Sequence, residues 1–196
     1  MVRPSLFLMC GIALATLEIR AALAGPEDQL PTEQSRFSLA GGTATIFTKP
    51  GPDGESPRHL LLHFHGAPEA LAEAFARSRQ DAVVMVVNFP GLSSAYSRPF
   101  QQDPRLFADM LQRASGTVRP LGDRAAWEKI TLSCFSAGYG AVREILRSPD
   151  AFEQIDAIVA ADSIYASLDE TAPSRRAEPD QMHHFLKFAT LAAEGS

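Results

Sequence analysis

At 196 residues, 45% of them apolar, the chain can bury one sizeable core, and a formal net charge of −5 with 21% charged residues suits one mildly acidic domain. No basic block or Arg-rich stripe occurs, so the electrostatic footprint of a nucleic-acid binder is missing. Nothing in the composition specifies an oligomeric state.

The N-terminus carries Arg3, a short apolar run from Leu6 to Leu17, and Ala22-Leu23-Ala24 ahead of Gly25. That layout is the one of a secretory signal peptide over residues 1–24, leaving a domain at 25–196 and a secreted or periplasmic location. Glu18 and Arg20 end the apolar run short of a spanning length, so no stable membrane anchor is expected. A lipoprotein reading through Cys10 is disfavoured, because the run continues on both sides of it. Without residues 1–24, Cys134 is the only cysteine, and stability must come from packing without a disulfide. At the end of an apolar run, Cys134 is read as a small buried filler rather than a nucleophile.

Beyond a polar lead, Phe37–Leu39 and Thr43–Phe47 alternate around Gly41-Gly42 and predict a hairpin at a sheet edge. Residues 49–57 (KPGPDGESP) are dense in turn formers and predict a loop. His59–Phe64 (HLLLHF) and Asp81–Phe89 (DAVVMVVNF) are nearly continuous apolar runs, as strands buried on both faces require. Pro68–Arg79 between them predicts a helix with proline in its first turn. Gly91–Phe100 is read as a Ser/Pro-containing loop and Pro104–Ala114 as a helix. Ile130–Cys134 is a third buried strand, Gly138–Arg147 a helix, Ile155–Ala161 a fourth strand, and Asp180–Glu194 a final amphipathic helix. Buried strands alternating with helices predict βαβ units, a mostly parallel sheet with helices on both faces, and the N-terminal hairpin as its antiparallel edge.

In such sheets ligands bind at the carboxyl ends of the strands. Those ends carry His63-Phe64-His65-Gly66-Ala67, Asn88-Phe89-Pro90-Gly91, Cys134-Phe135-Ser136-Ala137-Gly138 and Asp162-Ser163-Ile164-Tyr165. A serine nucleophile between strand and helix needs a sharp turn with small neighbours. Ala137, Gly138 and Gly140 meet that need, and the Ala137 N–H would point from the helix N-terminus at an oxyanion. Cys134 stands two before the serine, where glycine is usual.

LSCFSAGYGA therefore resembles the nucleophile elbow of the α/β-hydrolases, with Ser136 as nucleophile, and HFHG at 63–66 resembles their oxyanion loop. The resemblance covers residues 37–166. It implies an α/β-hydrolase-like fold, a second oxyanion donor at the amide of Gly66 or Ala67, and Asp162 as the acid of a triad. Asp156, at the other end of the same strand, is not expected to take part. His63 and His65 share one side of a strand, as two metal ligands would, but no third ligand has suitable spacing downstream, so no metal is expected. Instead His65 is expected to bond the loop backbone, with His63 packed in the strand.

The family's order, serine then acid then histidine, leaves only His183 and His184 as the base. His184 is the weak candidate, since both lie in a helical pattern with no strand before them. The chain ends at Glu194-Gly195-Ser196, where the resemblance implies a further strand and a histidine loop, so the domain is read as an incomplete gene product or a natural shortening. The function implied is hydrolysis of a small-molecule carboxylic ester, or related acyl bond, through a Ser136 acyl-enzyme without a cofactor. Pro90–Arg98, with Tyr96 and Phe100, and Ile164–Pro179 are read as walls of its acyl pocket. The alternative is an inactive hydrolase-like binding protein or a truncated fragment.

Overall fold

The computed structural model describes residues 32–48, 57–78, 80–118, 127–171 and 174–195. The expected signal peptide at 1–24, Cys10, and all but the last residue of the loop at 49–57 lie outside the described residues.

Six strands form one sheet: β1 (Thr32–Leu39), β2 (Gly42–Thr48), β3 (His59–Phe64), β4 (Val83–Asn88), β5 (Lys129–Phe135) and β6 (Ala157–Ala161), in the order β1-β2-β4-β3-β5-β6. β1 pairs with β2, and β2 with β4, antiparallel; the β4-β3-β5-β6 portion is parallel. This is the α/β-hydrolase-like sheet that the motifs implied. Leu39 pairs with Gly42, so the hairpin turn is Ala40-Gly41, with φ of 48° and 83°. Two consecutive positive φ values match the right-handed twist of the strands they join.

The apolar runs explain which strands are central. Residues 83–87 of β4 are all buried, because both sheet faces are covered. On one face, Leu62, Phe64, Met85 and Leu132 pack beneath α2 (Ser93–Gln102), α3 (Leu106–Val118) and α4 (Tyr139–Arg147). On the other, Phe47, Val84 and Val86 meet Ala72 and Phe75 of α1 (Pro68–Ala76). A short α5 (Pro149–Phe152) precedes β6, and α6 (Pro179–Glu194) adds Phe185 to the first core. Among the described residues no helix is long and apolar enough to cross a membrane.

Three expectations change. The segment read as a loop at 91–100 is largely helical, because Tyr96 and Phe100, one turn apart, both enter the core despite Pro99 within the helix. Tyr96 is 0% exposed and walls no pocket, while Phe100 meets Phe64 edge-on at 5.9 Å and lines a cavity whose lining does not include Ser136. Val159, Ala160 and Ala161 of β6 are exposed where a buried strand was expected, since among the described residues β6 pairs only with β5 and forms the edge of the sheet. Asp156, at the amino end of β6, accepts the Ile130 N–H at 2.7 Å, far from the carboxyl edge.

Candidate active site

Backbone strain gathers where the parallel strands end. Among the described residues, the non-glycine residues with positive φ besides Ala40 are His65 after β3, Ser136 after β5, and Asp162 and Ile164 after β6. Each such conformation costs on the order of 1–3 kcal/mol and marks a place the fold over-determines. For Ile164, at φ 67°, a β-branched side chain makes the departure sharper.

Ser136 has φ 43° and opens a short 3-10 turn, Ser136–Gly138, between β5 and α4. The turn is possible because Gly138 lies against the end of β3, where a Cβ would fall 2.1 Å from the Phe64 carbonyl oxygen. Gly140, expected as a small neighbour of the turn, serves a contact between helices. Its missing Cβ admits the Ser93 carbonyl of α2, which would otherwise be 2.3 Å away. Ser136 is half-buried, and its hydroxyl has no hydrogen-bond partner among the described residues. Cys134 beneath it is 1% exposed, and burial pushes its thiol pKa up, as fits a filler. Ser163 ties the β6 turn to the elbow: its hydroxyl donates to the Ala161 carbonyl at 2.9 Å and lies 3.4 Å from that of Ser136.

The oxyanion loop is held by side chains. Asn88, at the end of β4, accepts the Gly66 N–H at 3.0 Å and donates to the Gly66 carbonyl at 2.9 Å. Of the two loop amides considered, that of Gly66 is thus engaged by Asn88. His63 is packed in its strand as expected, and it also takes the loop-backbone bond expected of His65. His63 bonds the loop backbone, its Nε2 lying 3.1 Å from the His65 carbonyl, while Nδ1 lies 3.0 Å from Ser133 Oγ. A carbonyl only accepts, so Nε2 carries the proton and the Ser133 hydroxyl donates to Nδ1. His65 Nδ1 pairs instead with the buried Tyr96 hydroxyl at 2.7 Å, and its ring stacks on Phe135. Tyr96 and Asn88 escaped sequence reading because the contacts depend on register. Pairing of Phe64 with Val87 is what brings Asn88 beside the loop.

Burial holds the His63 pKa below its usual 6.5, against the opposing effect of its bond to the His65 carbonyl. The unfolded chain therefore takes up this proton more readily than the folded one. The stability from neutral His63 is complete above pH 6.5 and is lost as pH falls through the folded value. Between about pH 7.5 and about pH 5, His63→Gln should lose fewer degrees of melting temperature than the natural chain. Equal losses would show that His63 does not contribute.

Asp162, the expected acid, is exposed at the carboxyl end of β6, on the strand next to Ser136. Its carboxylate accepts the Tyr165 hydroxyl, a contact that raises the Tyr165 pKa. Tyr165 in turn meets Tyr139 of α4 edge-on at 5.6 Å. The base is not assembled with these groups. His183 and His184 lie in α6, where the His184 pKa is lowered by burial first and then by His183, Arg147 and Lys187, with Glu144 opposing. Glu144 and Arg147 occupy the last turns of α4, about 12 Å along the helix from Ser136. The charges that act on His184 thus belong to α6 and the last turns of α4, and Asp162 is not among them.

No family model and no curated protein matches the chain. Among solved structures it is similar to an α/β serine hydrolase without a lid from Xanthomonas campestris, at 14% identity over 80% of this chain and 78% of that one, with a TM-score of 0.43. It is also similar to esterase B from Lactobacillus rhamnosis, at 14% identity, 95% and 65% coverage and a TM-score of 0.45. A fungal esterase structure from Rhizomucor miehei matches at 14% identity, 82% and 54% coverage and a TM-score of 0.45. The chain spans less than two-thirds of the length of the last two. These are likenesses of fold alone.

Proposed function

We propose that the chain is a serine hydrolase that cleaves a small-molecule carboxylic ester, or a related acyl bond, through an acyl-enzyme on Ser136. The observation that carries this reading is the strained backbone of Ser136, φ 43°, at the mouth of a turn closed by Gly138 against β3. That turn lifts the hydroxyl above the carboxyl edge of the sheet. In this reading Ser136 Oγ attacks the ester carbonyl carbon and yields its proton to solvent water, while the Ala137 and Ala67 amides receive the developing oxyanion. The intermediate collapses as the alcohol leaves with a proton from water, and a second water then hydrolyses the acyl-serine to the acid and the free Ser136 hydroxyl. Asp162 lies on the neighbouring strand end to complete the constellation. The N-terminal layout supports a secreted or periplasmic setting for this chemistry.

A second reading, an acyl-binding protein that does not turn over, is favoured by two observations. Asp162 is held by Tyr165, and His184 is influenced electrostatically by His183, Arg147, Lys187 and Glu144 rather than by Asp162. An activated fluorophosphonate separates the two, since its leaving group departs without acid assistance. Labelling of the purified chain that vanishes in Ser136→Ala is the expected result. No labelling at any pH would leave only the second reading.

A further inference from the structure

Within the elbow, the residue before the serine is the most exposed. Phe135, the last residue of β5, has 45% of its surface exposed, whereas Ile130, Leu132 and Cys134 of the same strand are buried. Leaving a phenylalanine in water forgoes the stabilisation its burial would give, and one exposed ring alone needs no explanation. This ring, however, is held. It lies nearly parallel to the imidazole of His65, with 8° between the planes and 6.2 Å between the centroids. His65 is fixed in turn by the Tyr96 hydroxyl at 2.7 Å and meets the Tyr96 ring edge-on at 5.4 Å. Tyr96 is fully buried and edge-on to Phe89. Rings in succession, Phe89, Tyr96, His65 and Phe135, thus lead from the core to an open face beside Ser136.

A second exposed ring stands on the other flank. β5 lies between β3 and β6 in the sheet, and β6 is followed by Tyr165, 49% exposed and edge-on to Tyr139 at 5.6 Å. Ser136, at the end of β5, therefore has His65 and Phe135 toward β3 and Tyr165 toward β6. With nearly half its surface exposed, Phe135 offers a shelf. A flexible alkyl chain laid on a shelf loses rotamer freedom in return for partial burial. A planar ring has little freedom to lose and adds the attraction of edge-on or offset ring packing. The acyl group of an ester stays bonded to Ser136 Oγ, and consecutive Cα atoms such as those of Phe135 and Ser136 are about 3.8 Å apart. We infer that the acyl group of the substrate carries an aromatic ring and that Phe135 selects it. This rests on Ser136 being the nucleophile, as proposed above.

Two fluorophosphonates that differ only at phosphorus, benzyl in one and cyclohexylmethyl in the other, test it on the full chain. Both report the same step: Ser136 Oγ bonds to phosphorus and fluoride leaves. The two rings are alike in size, so a difference in rate reads aromatic character rather than bulk. The benzyl probe should label about fivefold faster in second-order rate constant, the magnitude of one aromatic pair. Phe135→Leu keeps an apolar side chain without a ring and should make the two rates equal. Phe135→Tyr keeps the ring and should preserve the preference. A merely structural role for Phe135 would slow both probes alike and leave their ratio where it was. Equal rates in the natural chain, or a preference that survives in Phe135→Leu, would overturn the inference, while Ser136-dependent labelling would leave the nucleophile standing. No Ser136-dependent labelling by either probe would remove both.

Discussion

Gly138→Ala lowers the stability of the chain by about 3 kcal/mol, near the upper end of what one added methyl group costs in a packed interior. The new Cβ would lie 2.1 Å from the Phe64 carbonyl oxygen and 2.7 Å from its carbon, both backbone atoms. They cannot retreat, because β3 is central and pairs with β4 on one side and β5 on the other. Displacing the turn instead would pull Ser136 out of the conformation that the sheet imposes. For a chain of this size about 3 kcal/mol corresponds to a fall of roughly 6–12 °C in melting temperature. Gly140→Ala meets backbone as well, at 2.3 Å from the Ser93 carbonyl oxygen, but Ser93 opens a helix after a loop and can shift. Gly116→Ala is the internal comparison: it lies in α3 with nothing within 4 Å of an added Cβ, and should raise stability by about 0.5–1 kcal/mol. Urea midpoints of the variants decide the matter. If Gly138→Ala unfolds at the midpoint of Gly116→Ala, the close approach of elbow and strand is wrong.

The strands that form the middle of the sheet were legible because burial on both faces leaves a continuous apolar run, as in Leu60–Leu62 and Val83–Val87. β6 was legible as a strand but not as an edge, since AIVAA reads alike in either place and only the sheet order decides. α2 was hidden by its serines and Pro99. The signal that outranked them was the four-residue spacing of Tyr96 and Phe100, both of which enter the core. The elbow could be read in its own letters because its demands are local: small residues on both sides of one serine. The groups that hold the oxyanion loop could not. Asn88 reaches Gly66 across 22 residues, and Tyr96 reaches His65 across 31. A polar residue ending the valine run of β4 was the available hint. The helical setting of His183 and His184 was visible too, but not that α6 lies along the far end of α4.

Asn88→Ala slows acylation of Ser136 by about 100-fold, the lower end of what loss of one oxyanion donor costs. Asn88 touches neither the serine nor a reacting carbonyl. It acts as a positioning residue through Gly66, whose N–H it accepts at 3.0 Å and whose carbonyl it meets with Nδ2 at 2.9 Å. Both bonds fall on one residue, so together they fix the peptide that leads into Ala67 and the direction of the Ala67 N–H. His65 contributes a third restraint, its own N–H donating to the Val87 carbonyl at 3.0 Å. Alanine at 88 removes the side-chain bonds while β4 keeps its ladder, so the fold should lose only about 1–3 kcal/mol for the groups left unpaired. A loosened loop binds the probe nearly as before but presents its amide in the wrong place. The first-order labelling constant of the fluorophosphonate should therefore fall while the concentration giving half-maximal rate barely moves. Asn88→Asp, which keeps the acceptor for the Gly66 N–H and loses the donor to its carbonyl, should lie between the two. A purely structural role for Asn88 would show the opposite split, with less folded protein that labels at the natural rate. That outcome would take the Ala67 amide out of the site.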